Sequence, residues 1–209
     1  MYAWNNQTWS PAEGAPEFAA SLADVGNGMI AGTRVATAMG WRPIETVSVG
    51  DQVLTFDKGM QTVTAIRREH VQTSGALGGV SNWPLRVPKG ALGNLEEMSL
   101  PRRQAILIES DVAEDMFGDA FTLIHVAALE GFRGIEPVRP ADFIEVITLQ
   151  FEEDQIVFGK GGFLFYCPPP SDILHDLLCE PKVPRYHILP KDKAEILVSV
   201  LEYEDAKHD

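Results

Sequence analysis

The thiol and imidazole side chains in this 209-residue sequence are few: two cysteines, Cys167 and Cys179, and five histidines. His175 and Cys179 stand four apart in "SDILHDLLCE", so a helix there would put both on one face as metal ligands, with Cys167 or His187 as further candidates. Without a paired CxxC or HxxxH this is a weak donor set, and a half-buried thiol beside a surface imidazole is the expectation; no metal and no cofactor is expected. "ESDVAEDMFGD" supplies Glu109, Asp111, Glu114, Asp115 and Asp119 but not the alternating oxygens and closing Glu of a calcium loop, and it reads as a solvated acidic turn. Gly159-Lys160-Gly161-Gly162 lacks the spacing and the following Ser or Thr of a phosphate loop and reads as a hairpin turn.

The elements that would position these groups are mostly short strands. "TRVATAMG" alternates and stops at Gly40, "RPIETVSVGDQVLTFD" carries Gly50-Asp51 between two β-branched runs, and "MQTVTAIRREHV" alternates again. Further strands are expected at Gln104 to Ser110, Ala120 to Val126, Asp142 to Phe151 and Gln155 to Cys167. Pro168-Pro169-Pro170 ends the strand set, because consecutive prolines supply no ladder donors. Beyond it, Ser171 caps one helical pattern and Pro190 starts another. Residues 1–27 mix Pro, Gly, Asn and small residues and read as a leader, with Tyr2, Trp4 and Trp9 expected to dock on the core.

The order of motifs resembles the Hint (hedgehog/intein) domain family, in particular its bacterial members. Their opening reads Cys-Phe-x-x-Gly-Thr-x-Ile/Val-x-Thr-x-x-Gly; this chain has "GMIAGTRVATAMG" from Gly28 to Gly40. "RPIETVSVGDQVLTFDKGMQTV", "WPLRVPKGALGN", "MFGDAFTLIHVAAL" and "ITLQFEEDQIVFGKGG" follow in the family's order, so five blocks span about 140 residues. The resemblance implies a mainly β, horseshoe-like Hint domain over residues 28–167 whose beginning and end meet, after the 1–27 leader and before a helical C-terminal extension over 168–209.

In active members a Cys or Ser attacks the preceding carbonyl, a Ser/Thr-x-x-His motif polarises that peptide and moves the proton, and splicing members add a terminal Asn that cyclises. Carried over residue by residue, Gly28 stands at the nucleophile, Leu100 at the Ser/Thr, Arg103 at the His and, on a looser alignment, Asp154 at a late His. Glycine has nothing to attack with, and arginine cannot accept a proton at neutral pH. No terminal Asn followed by Cys, Ser or Thr closes the domain. Groups that act together lose most of the rate when one is removed. The expectation is a domain with no catalytic residues, serving as a binding or structural module; the alternative is self-cleavage or splicing through a non-standard nucleophile.

The formal net charge of -13 would repel nucleic-acid backbones and anionic lipid, so neither partner is expected. No run of 18 apolar residues and no classical signal peptide is present, which places the chain in the cytoplasm or on an export route that reads another signal. Two cysteines are too few for a disulfide scaffold and fit reduced thiols, with one terminal disulfide as the alternative. Arg102 and Arg103 fall where the reactive cleft would lie, and the expected ligand is an acidic peptide or protein, or the chain's own tail.

Overall fold

The computed structural model describes residues 26–73, 79–80, 83–169 and 185–208. Most of the leader with Tyr2, Trp4 and Trp9, and the helix expected from Ser171 with His175 and Cys179, lie outside the described residues.

The described chain is mainly β. Its fourteen strands are β1 (Met29–Ile30), β2 (Arg34–Thr37), β3 (Gly40–Pro43), β4 (Gln52–Thr55), β5 (Gly59–Thr62), β6 (Ala65–Gln72), β7 (Leu85–Val87), β8 (Met98–Leu100), β9 (Ala105–Glu109), β10 (Phe121–His125), β11 (Glu136–Pro137), β12 (Phe143–Gln150), β13 (Gln155–Gly159) and β14 (Phe163–Cys167). Two α-helices, α1 (Asp111–Phe117) and α2 (Lys191–His208), complete it. The largest sheet runs β10-β9-β14-β13-β2-β4-β5, with β3 hairpinned onto β2; the others are β1-β12-β6 and β11-β7-β8.

Alternation places the core. In β2 and β4 the residues Val35, Thr37, Val53 and Thr55 turn inward while their neighbours face out, the period-two pattern of a half-buried strand. Val35 and Val53 meet Leu85, Ile106, Leu149, Phe151 and Phe165 in a single apolar cluster, on which α2 lays Ala194, Leu197 and Val198. Arg133 grips Asp205 with two nitrogens, at 2.6 and 2.5 Å, and so fixes the end of α2. Turns are set by residues that tolerate left-handed backbone: Gly50, at φ 93°, lets the chain enter β4 while Asp51 accepts from the Ser48 N–H at 2.9 Å.

Three local expectations differ from the fold. Gly40 opens β3 instead of ending a strand, because Ala38 and Met39 form the hairpin loop and the Thr37 hydroxyl donates to the Gly40 carbonyl at 2.8 Å. "MQTVTAIRREHV" is two strands in different sheets, β5 and β6, broken at Val63-Thr64. The acidic stretch after Glu109 folds as α1: the Ser110 side chain accepts from the Ala113 N–H, Asp111 and Glu114 sit on the positive end of the helix, and Gly118 at φ 81° stops it.

Candidate functional site

Gly28 is buried at the entrance to β1, where Met29 pairs with Ile147 and Ile30 with Val146 of β12. The space a side chain would need at 28 is filled. A Cβ there would lie 2.6 Å from Val146 Cγ1 and 2.9 Å from Thr148 Oγ1, inside contact distance in both directions. Thr148 is itself buried, and its hydroxyl donates to the Asn27 main-chain carbonyl at 2.7 Å. Asn27 is held a second time: its Oδ1 accepts from the Ala105 N–H at 2.7 Å. The residue before Gly28 is thus tied to β12 and to β9 at once.

A cavity of about 320 Å³ opens beside this junction, lined among others by Asn27, Arg102, Arg103, His125, Leu189 and Lys191. The two arginines differ in what they leave free. Arg102 points back into the fold: its side chain is 15% exposed, it clasps Glu130 at 2.6 and 3.2 Å, and its Nε donates to the Trp83 carbonyl at 2.9 Å. That hydrogen bond from Arg102 holds the Glu130 carboxyl below the usual carboxylate range. Arg103 is exposed at the cavity rim, and its carbonyl meets His125 Nδ1 at 2.7 Å. With Nδ1–H assigned as the donor, His125 keeps Nε2 as its lone-pair nitrogen.

The remaining expected positions are structural in their contacts. Leu100 ends β8, fully buried and paired with Leu85. Asp154 is 3% exposed and accepts from the Arg185 and Tyr186 N–H groups at 3.2 and 3.0 Å, docking the segment that leads into α2. Burial, reinforced by the Asp154 charge, pushes the neighbouring Tyr166 phenol up to about 12. Cys167 ends β14 in the core, and burial alone pushes its thiol up to about 12, so it is a poor nucleophile and a poor metal ligand. No group of three or more His, Cys, Asp or Glu able to hold a metal occurs among the described residues.

Asn27, Thr148 and His125 did not stand out in the sequence. Asn27 reads as a turn residue, Thr148 as one more β-branched strand residue, and His125 as a strand end. The β10–β9 register sets His125 opposite Ala105, the residue that binds Asn27, and only pairing across strands shows it.

No helix among the described residues is long and apolar enough to cross a membrane. No curated protein matches the chain. Among solved structures it is similar to a bacterial intein-like domain from Clostridium thermocellum, at 15% identity over 68% of this chain and 99% of that one, with a TM-score of 0.48. It is also similar to the gp41-1 intein, at 14% identity over 66% and 98%, with a TM-score of 0.42. Residues 28–163, from the buried glycine to the first residue of β14, match the sequence profile of the Hint domain. That match covers well over half of the chain, and the chain belongs to the Hint domain family.

Proposed function

We propose that this Hint domain has lost the nucleophile-initiated cleavage and splicing of its family and acts as a binding or structural module. The observation that carries the reading is the occupied space at Gly28: a restored side chain would overlap Val146 and Thr148. Leu100, Arg103 and Asp154 support it, since none of them can relay a proton as histidine does at neutral pH, and Asp154 is committed to backbone donors. The ligand proposed for the cavity is an acidic peptide. Arg103 and Lys191 line it and His125 adds a ring nitrogen, while the protein around them carries a formal charge of -13.

Two measurements test this. Intact mass of the full chain, incubated with and without a small thiol, should show no thiol-accelerated product beginning at Gly28; such a product would refute the loss of the family chemistry. Binding of a glutamate-rich peptide, followed by calorimetry, should weaken at least tenfold in Arg103→Glu and fall with added salt. Unchanged affinity in Arg103→Glu would remove the cavity as the binding site. Autoprocessing through a different residue is the second reading, and the two anchors on Asn27 are what favour it.

A further inference from the structure

Helix α2 has two apolar faces. Ala194, Leu197 and Val198 are buried on the core, and Leu201 packs beside them. The opposite side carries Ile196, Val200 and Tyr203, with Ile196 54% and Tyr203 63% exposed. At 3.6 residues per turn, Asp192, Ile196, Ser199, Tyr203 and Lys207 fall along one stripe, three or four residues apart, as in the seam of paired helices. A surface depression of about 480 Å³ follows the stripe, and its lining residues all belong to α2. The Ser199 hydroxyl donates to the Glu195 carbonyl of its own helix at 2.9 Å, so the middle of the stripe is a small residue whose donor is already used. The helix cannot turn to hide this face, because its inner side is packed and Arg133 holds its end through Asp205.

The stripe is complementary to itself read backwards. One end is acidic, at Asp192, and the other basic, at Lys207, about 22 Å away along the axis, with apolar residues between. Two copies laid antiparallel about a two-fold axis at Ser199 and Val200 set Asp192 against Lys207 of the second copy and Ile196 against its Tyr203, and symmetry makes each exchange twice. A parallel pair would set Asp192 against Asp192 and Lys207 against Lys207. Glu195 and Glu204 also come opposite each other in the antiparallel pair, but each has a lysine of its own helix beside it, Lys191 at 3.6 Å and Lys207 at 2.7 Å. The formal charge of -13 opposes association at long range, and salt at physiological strength confines that repulsion to about 8 Å, which leaves the charges at the contact to decide the pairing. We propose that the outer face of α2 is the contact between two copies of this chain, paired antiparallel through Ile196, Ser199, Val200 and Tyr203, with Asp192 and Lys207 closing each end.

Sedimentation of the full chain at physiological salt, from about 1 to about 500 µM, tests this. The mass should rise with concentration from one chain of 23.0 kDa toward two. Ile196→Glu should weaken association at least about 30-fold while the melting temperature of dilute protein stays unchanged, since Ile196 faces outward in the single chain. Asp192→Lys and Lys207→Asp should each weaken it about tenfold, because each puts two like-charged pairs into the contact, and the doubly reversed protein should recover to within about threefold of the parent. A mass of one chain at every concentration overturns the proposal. So do single reversals without effect, or a double reversal no better than the singles, since either outcome removes the antiparallel pairing. A monomer whose melting temperature falls in Ile196→Glu overturns it too, by showing that residues of the same chain cover the face. None of these readouts depends on peptide binding or on cleavage, so the result bears on this contact and not on the module reading.

Discussion

Replacing Gly28 with alanine tests whether the nucleophile's place is truly filled. The added Cβ would stand 2.6 Å from Val146 Cγ1 and 2.9 Å from Thr148 Oγ1, where ordinary contacts begin near about 3.5 Å. Relieving such overlap in a packed strand costs about 1–3 kcal/mol. If Thr148 turns away, the hydrogen bond to Asn27 goes with it, at about 1 kcal/mol. Alanine also narrows the unfolded ensemble, which returns about 0.4–1 kcal/mol. The net expectation is a loss of about 1–3 kcal/mol, read from urea unfolding by circular dichroism and tryptophan fluorescence. Gly28→Cys, with a larger side chain, should lose at least as much and form no thioester. The overlap predicts coupling as well: in a Val146→Ala background the Gly28→Ala penalty should shrink by at least ~0.5 kcal/mol. A Gly28→Ala protein within about 0.5 kcal/mol of the parent, with no coupling to position 146, would refute the reasoning.

Arg102→Ala should destabilise the fold, because it removes the ion pair with Glu130 and the hydrogen bond to the Trp83 carbonyl, whereas Arg103→Ala should leave the melting temperature nearly unchanged; paired thermal melts compare them. The low Glu130 carboxyl contributes stability that is present above the ordinary pKa of 4.5 and lost as pH falls below it, and Arg102→Ala should flatten that limb of the profile. At the alkaline end Cys167 acts in the opposite sense. Its folded thiol is pushed up to about 12 from 9.0, so its contribution is complete below pH 9 and is lost as pH rises through that window. Folded protein should accordingly protect Cys167 from thiol reagents at pH 8, and unfolding should expose it. Asp154→Asn should weaken the dock of residues 185–186 by about 1–3 kcal/mol and speed amide exchange there without changing α2 content.

The fold was largely legible because its strands carry their own pattern. Phe143 to Gln150, Gln155 to Gly159 and Phe163 to Cys167 alternate or run apolar between turn residues, and they are strands within a residue or two of where the pattern puts them. What escaped were elements too short to show a period: β7, β8 and β11 have two or three residues each, and α1 has fewer than two and a half turns. For α1 the signal was present in Ser110 and Gly118, one at each end, but the acidic content between them read as solvent-facing turn. The site was legible only as a set of substitutions. That Gly28 lacks a nucleophile is written in the sequence; that Val146 and Thr148 have closed over it depends on the register of β1 against β12. Arg102 and Arg103 look equivalent as neighbours and both line the cavity, and only the fold pairs Arg102 with Glu130 while leaving Arg103 exposed.

The bond between Thr148 and Asn27 joins residues 121 apart, and that separation imposes an order of assembly. During synthesis the segment around Gly28 emerges early, yet its partner strand leaves the ribosome more than a hundred residues later. β1, only two residues long, cannot persist alone in the interval, since so distant a closure must be compensated by contacts that do not yet exist. The junction is therefore a late event in maturation, and residues 27 and 28 take their places only when the domain is whole.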